Sequence, residues 1–215
     1  MKDYKMDLKK QIKQPAPAST YYVQFGGRFG QSYLNTTTDK MMAGITLGVG
    51  YQYVRPGIGY AVGLHVTSSF VRNMEIIRKS RIYGFGVTNY EQNLKYKQLT
   101  YLEVPISINY VHLKNTFTIG VAPTYLISTM MNFSERQELE VINERNYYGQ
   151  KIGLKTLGME TMIGYQRLIK NNWSVGVNLG VTLFQQIEDN NFENRAVAFP
   201  LHGQLILRKS LIFKK

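Results

Sequence analysis

The sequence has no cysteine among its 215 residues, which excludes a disulfide scaffold and a thiolate metal site. Only 6 prolines and 1 tryptophan are present. Charged residues make up 19% of the chain, and acidic residues (14) are outnumbered by basic ones (26). A soluble domain usually carries about 25% charge. No run of about 18 apolar residues occurs, so a transmembrane helix is excluded. There is no phosphate-binding loop followed by a helix, no zinc-ligand spacing and no nucleophile elbow. GVGYQYVRPGIG (48–59) is glycine-rich but reads as strand and turn, not as a phosphate cradle. The residues imply no cofactor and no metal. Met1–Thr20 is charged and lacks the apolar centre of a secretory signal. A cytosolic chain, a mature form and a piece of a longer protein all fit that start.

What is abundant is aromatic and small. The chain holds 16 Tyr, 10 Phe and 19 Gly, a mix that favours strands separated by turns. Met1–Gln14 carries five lysines against two aspartates, and Pro15–Ser19 follows as a stiff Pro/Ala stretch. Residues 1–19 therefore read as a basic tail or linker, solvated or touching anionic lipid. Residues 20–215 read as one repeating array.

From Thr20 onward the hydrophobic period is two, and about eight long strands are expected: Tyr21–Gly30, Ala43–Val54, Ile58–Phe70, Leu99–Tyr110, Phe117–Thr129, Thr156–Gln166, Asn172–Phe184 and Phe199–Phe213. In the second strand Ile45, Leu47, Val49, Tyr51 and Tyr53 alternate with Thr46, Gly48, Gly50 and Gln52. The connections alternate too. Those after the second, fourth and sixth strands are short; Arg72–Gln98 and Met130–Lys155 are long and polar and are expected as loops. FSERQELEVINER (133–145) in the second of these is charge-balanced and suits an extended hairpin. Short turns at one end and long connections at the other are the layout of an all-β, closed antiparallel up-and-down transmembrane barrel in a bacterial outer membrane.

In that arrangement the apolar face meets acyl chains and the small, polar face fills the lumen. Glycines make room there for Arg28, His65, Tyr101, Glu103, Glu160, His202 and Arg208. Buried charges must pair, so Arg28, Glu103, Glu160, His65, His202 and Arg208 are expected to form one lumen network that blocks a water channel. The histidines are expected as satisfied lumen side chains; a catalytic role for His65 or His202 is the alternative. Tyr51, Tyr53, Tyr60, Tyr110, Phe117, Tyr165 and Trp173 lie beside the short turns, and Phe25, Phe29, Phe70, Tyr96 and Tyr125 lie nearer the other end, as two interfacial girdles would. A soluble barrel with its apolar face inward is the competing fold, but its exterior should be a quarter to a third charged. The polar faces here are Gly, Ser and Thr instead. Arg72, Arg78, Lys79 and Arg81 are candidates to contact lipopolysaccharide phosphates or a partner. The net charge of +12 is spread over two tails and a loop and does not form a nucleic-acid-binding face.

YLEVPISINY (101–110), a short turn and TFTIGVAPTYLIS (116–128) together resemble the PorT-like outer-membrane barrels of Bacteroidota, in which a Tyr-Leu-Glu-Ile/Val-Pro strand precedes a turn and a Gly-rich strand. Leu102, Glu103, Val104 and Pro105 match that pattern. The resemblance implies an outer-membrane barrel that is a secretion-system component, a surface barrel or the C-terminal barrel of an envelope-spanning anti-sigma-factor-like protein. In the last kind a periplasmic linker precedes the barrel. The function expected is that of a non-catalytic membrane anchor or interaction module with outer-membrane lipid, lipopolysaccharide and envelope proteins as partners. A barrel enzyme or an apolar-ligand-binding barrel is the alternative.

Overall fold

The structure, a computed structural model, describes residues 18–31, 41–83, 87–137, 140–152, 154–183 and 201–211. Ten strands run in order: β1 (Ala18–Gln31), β2 (Met41–Val54), β3 (Gly57–Tyr83), β4 (Val87–Glu103), β5 (Ile106–His112), β6 (Asn115–Gln137), β7 (Glu140–Tyr148), β8 (Leu157–Lys170), β9 (Trp173–Thr182) and β10 (Leu201–Leu211). The tail expected over residues 1–19 lies outside the described residues except for Ala18 and Ser19, which already belong to β1.

All pairings are antiparallel, and they close. β1 pairs β2 on one side and β10 on the other, and the ring continues through β3, then β4 and β5, then β6, β8 and β9. β4 and β5 occupy one position in the wall. His65 opposes Glu103 and Val62 opposes Ile106; Thr124 opposes Glu103 and Val121 opposes Ile106. The register on both neighbours is thus unbroken, and the two strands are one stave, interrupted where Pro105 has no N–H to give. Val104 still donates to the Pro123 carbonyl and Gly63 to the Pro105 carbonyl, both at 2.9 Å. The wall therefore has eight staves, as the period-two pattern predicts, and no open edge within its height.

The surface is inside out. Ile45, Leu47, Val49, Leu64, Ile108, Ile119, Val177 and Leu205 are about half exposed, whereas Thr46, Thr67, Gln24, Asn109 and Gln166 are buried. On β3 the apolar face runs from Ile58 to Phe70. Those twelve intervals cover about 40 Å of strand, or roughly 30 Å of height at a barrel tilt near 45°, which spans a bilayer core. Aromatic rings cluster beside the short turns: Tyr53 and Tyr60 lie 5.5 Å apart, Tyr51 and Tyr60 6.2 Å, Phe117 and Tyr165 5.3 Å. One of these turns is made by Asn171 and Asn172, both at positive φ (51° and 64°), the two-residue hairpin geometry that asparagine tolerates.

The long polar connections are not loops. Arg72–Gln98 continues β3 and β4 as a hairpin, with Met74 opposite Tyr96 and Tyr83 opposite Val87, beyond a bulge after Phe70. Met130–Lys155 continues β6 to Gln137 and returns as β7. β4 and β6 pair up to Tyr90 and Gln137. The result is a four-stranded sheet, β3–β4–β6–β7, standing above the barrel. These strands are largely polar and meet water over most of their surface, apart from the residues nearest the barrel that pack in an apolar cluster, so their period-two signal is weak. Tyr96 is corrected as well: it is not in a girdle but almost fully buried, in a cluster with Val71, Leu94, Leu99, Leu126, Met131 and Leu154, and its hydroxyl donates to the Ile152 carbonyl. Tyr101, Phe133 and Tyr147 pack around this cluster, which caps the lumen at the hairpin end.

Candidate functional site

The candidate site is the lumen and its two ends. Arg28, on β1, lies on the inward face between Gly26 and Gly30, facing Gly44 of β2 and Gln204 of β10 in register. With little bulk beside it, its side chain crosses the barrel. Nη1 donates to Glu103 of β4 at 2.8 Å and Nη2 to Glu160 of β8 at 2.5 Å. β4 and β8 lie three staves from β1 in opposite directions around the ring, so one guanidinium ties three parts of the wall together. Nη2 also lies 3.1 Å from His202 Nδ1, and His202 Nε2 lies 3.3 Å from the second oxygen of Glu160. This geometry suits a neutral imidazole that accepts at Nδ1 and donates from Nε2. Thr67 and Thr182 add hydrogen bonds to Glu103 and Glu160. Charged pairs this deep hold only when their remaining polar atoms are also satisfied, and these threonines supply part of that on the carboxylates.

The single network expected from sequence is in fact two. Arg208 does not join the carboxylates. Its Nε and Nη2 donate to Gln24 Oε1 at 3.1 and 2.7 Å, and Nη1 reaches Gln52 Oε1 at 3.4 Å. Its guanidinium stacks 4.1 Å from the Tyr22 ring centre. In register Arg208 faces Gln24, four residues along β1 from Arg28, which is roughly 13 Å of strand. His65 belongs to neither network. Its ring stands edge-on to Tyr22 at 6.3 Å, and its Nε2 is buried without a hydrogen-bond partner, so the expectation of a satisfied histidine fails here. Arg28 Nε and Asn178 Oδ1 are also unpartnered. All three residues line a cavity of about 40 Å³, large and polar enough for a bound water.

The inward glycines are spaces for these side chains. A methyl group at Gly48 would overlap the His65 ring, one at Gly180 the His202 ring, and one at Gly50 or Gly63 the Tyr22 hydroxyl. Above the charged layer the apolar cap closes the lumen. Thr129 donates to the Gln150 carbonyl and Leu126 N–H to the Thr156 carbonyl at 2.7 Å, which ties Gln150 and Thr156 back to β6 beside the opening. Below it, at the short-turn end, a second cavity of about 180 Å³ is lined by Thr20, Gln52, Asn109, Lys114, Gln166 and Arg208, among others. Sequence reasoning missed this cavity, although the alternation had placed Gln52, Asn109, Gln166 and Arg208 on the inward faces.

The basic residues proposed for phosphate contact all lie on β3, Arg72 in the bulge between Phe70 and Met74 and the other three above it. Arg72 and Lys79 are exposed. Lys79 opposes Glu91, Arg78 opposes Gln92 and Arg81 opposes Asn89. Beside them Lys95 pairs with Glu75 at 3.0 Å. They form a stretch of one hairpin strand and not a loop cluster.

No family model matches the chain, and no curated protein sequence does. Among solved structures it is similar to Neisserial surface protein A, at 10% identity and a TM-score of 0.44, covering 91% of this chain and 99% of that one. It is similar to the attachment invasion locus protein Ail of Yersinia pestis, at 7% identity and 0.43, with 91% and 99% covered, and to the outer membrane enzyme PagL, at 10% and 0.42, with 86% and 98% covered. The resemblance to PorT-like barrels gains no support from these comparisons. A closed ring of antiparallel staves, an apolar band of bilayer height outside and paired charges inside are what lipid imposes on a strand protein: the chain is an integral β-barrel of the bacterial outer membrane.

Proposed function

We propose that the barrel is a non-catalytic anchor and interaction module for an envelope complex or a signalling protein. The observation that carries this reading is the four-stranded sheet above the lumen cap. Its outer strand, β7, pairs only with β6 among the described strands, and it holds Val141 and Ile142 half exposed to water. A strand edge beside exposed apolar groups suits strand addition or face packing by a protein partner. The resemblance at residues 101–128 to PorT-like barrels agrees with this role. Arg72 stands just past Phe70, at the level where lipid phosphates would lie, and with Lys79 it is the proposed lipopolysaccharide contact.

The test is a photo-activated cross-linker placed at Val141 or Ile142 in cells, with Ile45 on the lipid-facing wall as the control position. Discrete protein adducts from the β7 positions and none from Ile45 are expected. If β7 yields no protein adduct while purified barrel hydrolyses lipid esters in a His65- or His202-dependent way, the module reading is wrong and the enzymatic alternative replaces it.

A further inference from the structure

The cavity at the short-turn end has an electrostatic imbalance that the wall does not correct. Arg208 points into it, and Lys114 stands at its rim. No Asp or Glu is among the described residues that line it. A guanidinium carries five N–H donors. Gln24 takes two of those of Arg208, and Gln52 takes a third at 3.4 Å, which leaves two without an acceptor among the described residues. Every partner is neutral: two amide oxygens and the Tyr22 ring. The carboxylates of the lumen are hydrogen-bonded to Arg28 and His202, and the hydrogen bonds of Arg208 go to amide oxygens instead; Arg28 stands four residues further along β1 than the Gln24 that faces Arg208 in register. Arg208 is half-buried with no charged hydrogen-bond partner among the described residues, which leaves its charge poorly compensated, and arginine presents its spare N–H groups in a fork that matches an oxyanion.

The amides are held for this arrangement. Gln52 Nε2 donates to Thr20 Oγ1 at 3.1 Å and to Ser210 Oγ at 2.8 Å, which turns its oxygen toward Arg208 and leaves two hydroxyls at the cavity wall. Thr116, Ser174 and Asn109 supply further polar groups around the same space. At about 180 Å³, the space exceeds what a single water occupies, whose share of the liquid is about 30 Å³. The cavity lies at the short-turn end, which in such barrels faces the periplasm.

We propose that this mouth is a binding site for a small soluble oxyanion of the phosphate class, held by Arg208 and Lys114 and reached from the periplasm. The anion supplies the missing counter-charge and locks β1, β2 and β10 together at their lower ends.

The experiment uses the full chain refolded in a zwitterionic detergent. Its thermal unfolding midpoint is followed by Trp173 fluorescence against rising sodium phosphate, with sodium chloride at matched ionic strength as the reference. The expected result is a saturable rise of the midpoint in phosphate beyond that in chloride, since a ligand that binds only the folded state stabilises by mass action. In Arg208→Gln the apparent affinity is expected to fall at least tenfold, and in Lys114→Gln several-fold. Because Arg208 is also packed against Tyr22, a failure of that variant to fold is covered by Lys114→Glu, whose exposed rim position leaves the barrel intact and which should abolish the phosphate-specific rise. A midpoint that responds equally to phosphate and chloride, or a phosphate response unchanged in the Lys114 variants, overturns the proposal.

Discussion

Arg28 is the residue on which the middle of the lumen depends. Its replacement by methionine keeps the length of the side chain and leaves Glu103 and Glu160 buried without a cation. Breaking one partner of such a set costs about 3–5 kcal/mol. The triple variant Arg28→Met, Glu103→Gln, Glu160→Gln removes all three charges and should lose clearly less than Arg28→Met alone. Urea unfolding in lipid vesicles, read from Trp173, checks both; equal losses would mean that the cluster fills space and does not act through charge. Gly48 makes a second, independent prediction. Gly48→Ala collides with the His65 ring and should cost about 1–3 kcal/mol, as overpacking does. In a His65→Ala background the same change should cost almost nothing, so the double-mutant cycle gives a coupling energy close to the whole effect. These inward positions were legible because the alternation alone decides which residues face the lumen. Which of them meet was not legible. Arg28 reaches Glu103, Glu160 and His202 while Arg208 and His65 stand apart, and that division follows from the stagger between staves, which one sequence does not display.

At the scale of the element, the wall and the hairpins above it obey different rules. Within the membrane each strand has lipid on one side and lumen on the other, so the period-two pattern of β2 or β9 is readable residue by residue. Above Phe70 and Met130 both faces meet water or the small apolar cap, and residues 72–98 therefore read as a polar loop although they form paired strand. The hairpins are held by a few local polar contacts, and one of them titrates. Tyr90, then Asn143 and Gln92, donate hydrogen bonds to Glu135 and hold its carboxyl below the usual carboxylate range. A lowered value means that the bonds favour the ionised, folded form. Their contribution is complete above the unfolded carboxylate value of about 4 and is lost as pH falls through the lowered one. Amide exchange in β6 and β7 should stay protected down to that range and then rise. In Tyr90→Phe, which removes the largest cause of the shift, protection should be lost at a higher pH. Identical profiles for the two proteins would show that the hairpin is held by its ladder alone.

For the whole molecule, the question is whether eight staves enclose a path for ions. A ring of this size leaves an interior about as wide as the side chains that fill it. Here two unlike layers fill it in series. The lower is the ionic clamp of Arg28, Glu103, Glu160 and His202; the upper is the apolar cap of Leu99, Leu126, Met131 and Leu154. An ion that entered by the 180 Å³ mouth would meet the cation Arg208 first, then a layer in which one guanidinium bridges two carboxylates, then a mainly apolar layer that offers little to replace its water. Reconstituted in planar bilayers, the protein should show no steady conductance. Arg28→Met should not open it either, because the cap still seals the hairpin end. Arg28→Ser combined with Leu126→Ser and Leu154→Ser should give small, short-lived openings if the layers act in series. The same proteins on unheated SDS gels tell loss of the plug from loss of the barrel, since a closed β-barrel migrates faster before heating than after. Openings in the combined variant with the fast band retained place the seal in these side chains. Steady conductance in the unmodified protein would mean that the cap lifts in the membrane, and the lumen would then be a gated path instead of a filled core.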